Sequence, residues 1–179
     1  MIRSGPPVPS ALRPGLAAAG AVGCGLTALK LLPGLELKLF ARGAAGLASL
    51  FTGQPVARVE NGWMLPDANL PIVVTQACSA TDFFLIIAAL VAWRLAARGL
   101  TVGGALVSGL AVALPLSIFI NALRVVVVAR AHRWFIDRFP QSYGPFLHMA
   151  TGVAVFLPSL IALNVLLDLR PFRRSATPA

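Results

Sequence analysis

Residues 102–129 form one apolar run broken by a single charge, Arg124, and that run limits what the chain can fold into. A bilayer crossing takes about 20 apolar residues at about 1.5 Å of rise each. The run is therefore long enough to span, and Pro115 within it predicts a kink. Three further stretches suit spans: 16–32, 80–97 and 146–167. The chain is 58% hydrophobic and 12% charged over 179 residues, with a mean hydropathy of +0.82, which excludes an ordinary soluble domain. The expected architecture is an all-α membrane protein, residues 1–179 making a single integral membrane domain of about four transmembrane helices.

The first span is the shortest and holds Lys30 near its end, where the side chain snorkels to the boundary. The start MIRSGPPVPSALRPG has the look of a secretory signal. With no small-residue cleavage site in evidence, 16–32 reads as a retained span. Residues 35–51 are apolar in bulk, but Glu36, Lys38 and Arg42 gather in their first half, which suits an amphipathic helix at the membrane interface. In 52–77, turn signals at Asn61-Gly62 and Pro66-Asp67 flanked by Val and Ile predict a small β-hairpin or ordered loop.

The formal charge is +9, from 15 Lys and Arg against 6 Asp and Glu. These basic residues sit in short connectors and at helix ends with little aromatic interleaving, so their partner is anionic lipid and not nucleic acid. With four spans, residues 1–15, 94–101 and 169–179 share one side, and they are about twice as dense in Lys and Arg as the opposite connectors, 34–77 and 129–147. The positive-inside rule then puts both termini in the cytoplasm, in the cytoplasmic (inner) membrane, with 35–77 extracytoplasmic.

Two cysteines, Cys24 and Cys78, make no disulfide scaffold and belong to no CxxC or Cys/His array. No metal and no cofactor is expected. Cys24, between Gly23 and Gly25 in the first span, reads as a small packing residue. Cys78 precedes Ser79-Ala80-Thr81-Asp82, a match to the [ST]xx[DE] capping box, in which Ser79 and Asp82 open a helix just ahead of the apolar run from Phe83. The thiol then lies at a helix amino terminus, where partial positive charge favours the thiolate, the nucleophilic form. A small buried cysteine with no chemistry fits the same placement.

Arg124 costs roughly 2.5 kcal/mol or more at its depth unless it faces the bundle interior or finds a partner, which makes it a functional candidate. Asn121, three residues earlier on the same helical face, is placed to hold the guanidinium. The alternative is an arginine that reaches out to lipid phosphate. His148 is the only ionisable side chain in 146–167, and its imidazole exchanges a proton near neutral pH. His132, beside Arg130 and Arg133, reads as part of a basic, headgroup-facing turn. Antiparallel spans bring Cys78, Arg124 and His148 to the same, outer end of the bundle. Together they offer a nucleophile, a fixed cation and a proton shuttle for acyl transfer.

These residues resemble the exosortase/archaeosortase family of multi-pass membrane cysteine transpeptidases, in its short K-type branch. Ala77-Cys78-Ser79 with Phe83-Phe84 is similar to the family's A-C-S-G segment, Asn121-Ala-Leu-Arg124 to its N-x-x-R segment, and His148 with Gly152 to its H-x-x-x-G segment. Ala80 stands where the family often has glycine. The resemblance implies Cys78 as nucleophile, Arg124 as electrostatic partner and His148 as acid/base. It also implies substrates that are secreted proteins ending in a short motif, a membrane helix and a basic tail. A reading from another class is a non-enzymatic membrane subunit or small transporter component, in which Arg124 and His148 line a polar path.

Overall fold

The computed structural model describes residues 9–66, 71–136, 138 and 143–169. Helix α1 (Arg13–Leu31) is followed by a π-helical turn (Glu36–Ala41) that runs straight into α2 (Arg42–Thr52). Then come β1 (Ala57–Val59), β2 (Gly62–Leu65) and β3 (Ile72–Thr75), a 3₁₀ turn (Gln76–Cys78), α3 (Thr81–Ala97), α4 (Val102–Ile136) and α5 (Gly144–Leu169). Among the described residues four helical segments are long and apolar enough to cross a membrane: Arg13–Leu31, Gln76–Ala97, Val102–Ala131 and His148–Leu169. The all-α membrane bundle with a small appended sheet is therefore the fold.

Small residues line the closest helix contacts, with Phe40, Phe83, Phe84 and Ile87 buried beside them, because in lipid helices associate through close packing and not through exclusion of water. On α4, Ala105, Gly109, Ala113, Ser117 and Asn121 recur every fourth residue and are all buried. They face a matching stripe on α3, Ala88, Ala92 and Ala96. The contact is so close that a Cβ on Gly109 would stand 2.7 Å from the Ala88 carbonyl oxygen. Helix α1 uses Ala17, Ala21 and Gly25 in the same way, with Leu85 occupying the space a side chain at 25 would need. Leu16, Leu26, Val107, Phe119, Leu157 and Ile161 point outward, as a lipid-facing surface requires. Cys24 is exposed on α1, so it faces outward and does not pack the core. Lys30 is exposed near the end of α1.

Helix α4 has 35 residues, or about 52 Å of length against about 30 Å of hydrocarbon. It continues across Pro115 and, where a connector is expected after 129, adds further turns bearing the exposed Arg130 and Trp134. The side chains of His132 and Arg133 lie outside the described residues.

Residues 35–51 are helical as expected, though the charges in their first half are not simply solvent-facing. Glu36 accepts hydrogen bonds from Gln76 Nε2 and, at 3.4 Å, from Thr81 Oγ1. Arg42 lies over the Trp63 ring at 5.3 Å. Only Lys38 of the three is exposed without such a contact among the described residues.

The expected hairpin is a three-stranded antiparallel sheet in the order β1-β2-β3. The turn predicted at Asn61-Gly62 falls one residue earlier, on Glu60-Asn61, since Val59 pairs with Gly62. Gly62 is the first residue of β2, and a side chain there would strike the Val74 carbonyl. The Pro66-Asp67 turn reaches into 67–70, outside the described residues. Leu65 and Val74 anchor the sheet on Ala41, Ala44, Ala45 and Ala48 of the 36–52 helix and on Ala122 and Val125 of α4. Trp63 Nε1 donates to the Leu37 carbonyl at 3.1 Å.

Helix α5 is the least embedded. Gly152 alone among its described residues is buried. It runs beside α3 in the same direction and is tied to it twice. Near the site, Phe156 stacks on Phe83 with ring centroids 4.4 Å apart. At the far end, Arg94 forms a 3.0 Å ion pair with Asp168 and donates to Asn164 Oδ1 at 2.7 Å.

Candidate active site

Three elements bring polar groups to one end of the bundle. The 3₁₀ turn after β3 carries Cys78, α4 carries Arg124, and the first turns of α5 carry His148. His148 Nε2 is 2.7 Å from Arg124 Nη2 and 3.9 Å from Cys78 Sγ. A guanidinium has only donors, so the contact with Arg124 requires Nε2 to accept. The nitrogen nearest the sulfur is therefore the unprotonated one, and its single lone pair is engaged by Arg124, so it takes a proton from the thiol only as that contact opens. Thr75 Oγ1 stands 3.9 Å from the same sulfur.

The capping box expected from Ser79 and Asp82 is not formed. Helix α3 begins at Thr81, its N-cap is Ala80, and no side chain caps it. Ser79 is in helical conformation and places Oγ 3.3 Å from Thr81 Oγ1, while an N-cap residue needs extended backbone to reach forward to the N3 amide. Asp82 is exposed in the first turn of α3. Cys78 thus precedes the helix by a separate 3₁₀ turn instead of sitting at its mouth. Between them Ala80 adopts φ 55°, ψ 31°, and among the described residues it is the one non-glycine with positive φ.

Asn121 also departs from expectation. Fully buried, its Nδ2 donates to the Cys78 carbonyl at 2.5 Å, while its Oδ1, the atom that would accept from the guanidinium, does not bond the Arg124 side chain. That carbonyl lies ahead of the N-cap of α3, so the amide of α4 supplies what the helix does not. Arg124 is 9% exposed and turns inward, with its guanidinium 5.3 Å from the Phe156 ring. The outward route to lipid phosphate is not taken. Its Nε–H and the Asn121 Oδ1 are buried without a partner among the described residues. Gly152 covers this side of the guanidinium, where a Cβ would stand 3.4 Å from Nε.

Two cavities meet at Arg124. One, of about 240 Å³, lies between β3 and the ends of α4 and α5 and contains Cys78 and His148 among Ile72, Val74, Val125 and Val128. The other, of about 950 Å³, opens between α3 and α5 beside Glu36, Thr81 and Asp82 and continues along Ile86, Val153 and Leu157. Among the described residues no three His, Cys, Asp or Glu side chains converge as a metal-ligand set.

Sequence reasoning passed over Thr75, Phe156 and Glu36. Phe156 follows His148 by eight residues and Gly152 by four, so helical spacing alone puts all three on one face. Glu36 is an acid in an apolar stretch, a signal read only as amphipathicity. Thr75 carried no signal before the turn brought it to the sulfur.

The arrangement is that of a helical membrane protein with a buried guanidinium, a partly buried thiol and an exposed imidazole in one cluster. The family model for transmembrane exosortases (Exosortase_EpsH) matches residues 4–165, and the chain belongs to that family. Compared with curated proteins and with solved structures, it gives no match.

Proposed function

We propose that this chain is a membrane-embedded cysteine transpeptidase of the short K-type, which cuts the C-terminal sorting segment from secreted proteins. The observation that carries the reading is the continuous contact of Cys78, His148 and Arg124 at the end of an apolar cavity.

In the proposed reaction the Cys78 thiol gives its proton to His148 Nε2, and the sulfur attacks the scissile carbonyl carbon. The proton takes the Nε2 lone pair that accepts from Arg124, so that contact opens as the proton moves, and the guanidinium turns toward the oxygen on which negative charge develops. The unpartnered Nε–H is a second donor for that oxygen. The carbon–nitrogen bond then breaks, the imidazolium protonates the departing amine, and the acyl group stays on sulfur as a thioester. Water or an amine attacks the thioester and loses its proton to Nε2, the carbon–sulfur bond breaks, and the imidazolium returns a proton to the sulfur to restore the thiol. The site opens on the extracytoplasmic face of the cytoplasmic membrane, with both termini inside.

The test is to coexpress the parent or Cys78→Ala, Arg124→Ala and His148→Ala with a secreted reporter ending in a motif, an apolar helix and a basic tail. Loss of the size shift in all three variants, at normal membrane levels, is the expected result. Undiminished processing by Cys78→Ala overturns the reading.

A further inference from the structure

Strand β3 is the edge of its sheet. It pairs with β2 alone among the described residues, and Ile72, Val73 and Val74 line the cavity that holds Cys78 and His148. The Val74 carbonyl faces β2, since it is the atom a side chain on Gly62 would strike. Backbone groups alternate direction along a strand, so the amides and carbonyls of Val73 and Thr75 face the open edge. Cys78 follows three residues after Thr75.

An unpaired strand edge binds extended peptide through main-chain hydrogen bonds, and adjoining pockets select alternate side chains. Resting on the reading of Cys78 as nucleophile, we propose that the open edge of β3 is the docking strand for the substrate. The segment around the scissile bond binds as an extended peptide, adding a fourth strand at Val73 and Thr75. It places an apolar side chain in the cavity of about 240 Å³, and the occupant's continuation runs directly to the sulfur. The chemistry favours this occupant over a helix, because a helix has its own backbone groups satisfied and leaves the edge unused.

The experiment uses the full chain in detergent with Cys24→Ala, so that Cys78 is the one thiol. The probes are an acetylated tetrapeptide chloromethyl ketone of small apolar residues, two isomers N-methylated at alternate positions, and iodoacetamide. In each peptide reaction the sulfur displaces chloride and forms a thioether. Edge pairing predicts that one N-methylated isomer labels Cys78 about tenfold more slowly than the other, the effect of losing about one backbone hydrogen bond. Val73→Pro, which removes a strand donor on the open edge and leaves the carbonyls a peptide N–H would use, is expected to slow labelling by the unmethylated peptide about tenfold while iodoacetamide labelling stays at the parental rate. Equal labelling by both isomers, or labelling of Val73→Pro by the unmethylated peptide at the parental rate, overturns the proposal. Failure of iodoacetamide to label Cys78 in the parent overturns the reading of Cys78 as a reactive nucleophile, and the docking proposal with it.

Discussion

Gly152 lies against the guanidinium of Arg124, where a single added carbon would come into van der Waals contact with Nε at 3.4 Å and cover that donor. His148, one turn earlier on α5, takes Nη2, so one helix face both holds the cation and leaves a donor clear. Glycine inside a helix costs roughly 0.5–1 kcal/mol relative to alanine. Gly152→Ala is therefore expected to raise thermal stability or leave it level while lowering reporter processing about tenfold, the effect of about 1.4 kcal/mol at the barrier. Parallel falls in melting temperature and processing would point to a packing role only.

Arg124 uses a planar fork: Nη2 on His148, Nε free, and the plane over Phe156. Lysine keeps the charge and loses the fork. Arg124→Lys is expected to cut processing by about 100-fold or more with normal abundance in the membrane. Near-parental turnover by the lysine variant would mean that charge alone suffices.

Asn121 is tied to the nucleophile through backbone, not side chain. Asn121→Leu is close in volume but has no donor for the Cys78 carbonyl, leaving a buried acceptor unsatisfied at a cost of about 1–3 kcal/mol. Slower alkylation of Cys78 by iodoacetamide, together with a lower melting temperature, is the expected pair of results. A variant with parental alkylation would show that the carbonyl contact does not position the sulfur.

Ala80 holds a left-handed backbone that strains an L-residue by about 1–2 kcal/mol. Glycine relieves that strain but adds freedom to the unfolded chain, so Ala80→Gly is expected to stabilise by up to about 1 kcal/mol and to keep processing. Ala80→Val, branched at Cβ, is expected to destabilise. Calorimetric or fluorescence melting of the detergent-solubilised chain distinguishes the two directions.

The spans are legible in the sequence because length and hydropathy are summed over many residues, and no single neighbour alters the sum. Arg124 and His148 stand out for a related reason: a charge in an apolar run has few places to go, and the shared end of antiparallel helices narrows them further. Contacts set by a few atoms are not legible in this way. The Ser79–Asp82 spacing fits a capping box, yet one dihedral at Ala80 moves the helix start beyond it. Asn121 shares a helical face with Arg124, but helical periodicity cannot say that a carbonyl from another segment arrives first. Arg94 counts as a topology charge until the fold sets Asp168 3.0 Å away, across 74 residues of chain. The third strand escapes notice because β3 is four residues long and its partner is chosen by the collapse onto α2 and α4.

The central claim is that Cys78 carries the substrate as an acyl group. Intact-mass spectrometry of the purified chain, taken after incubation with the tailed reporter and quenched in acid, reads this directly. The account predicts an added mass equal to the reporter's acyl portion, located on Cys78, removed by neutral hydroxylamine and missing from Cys78→Ala. Processing that proceeds with no such adduct, or an adduct that persists in Cys78→Ala, would contradict it.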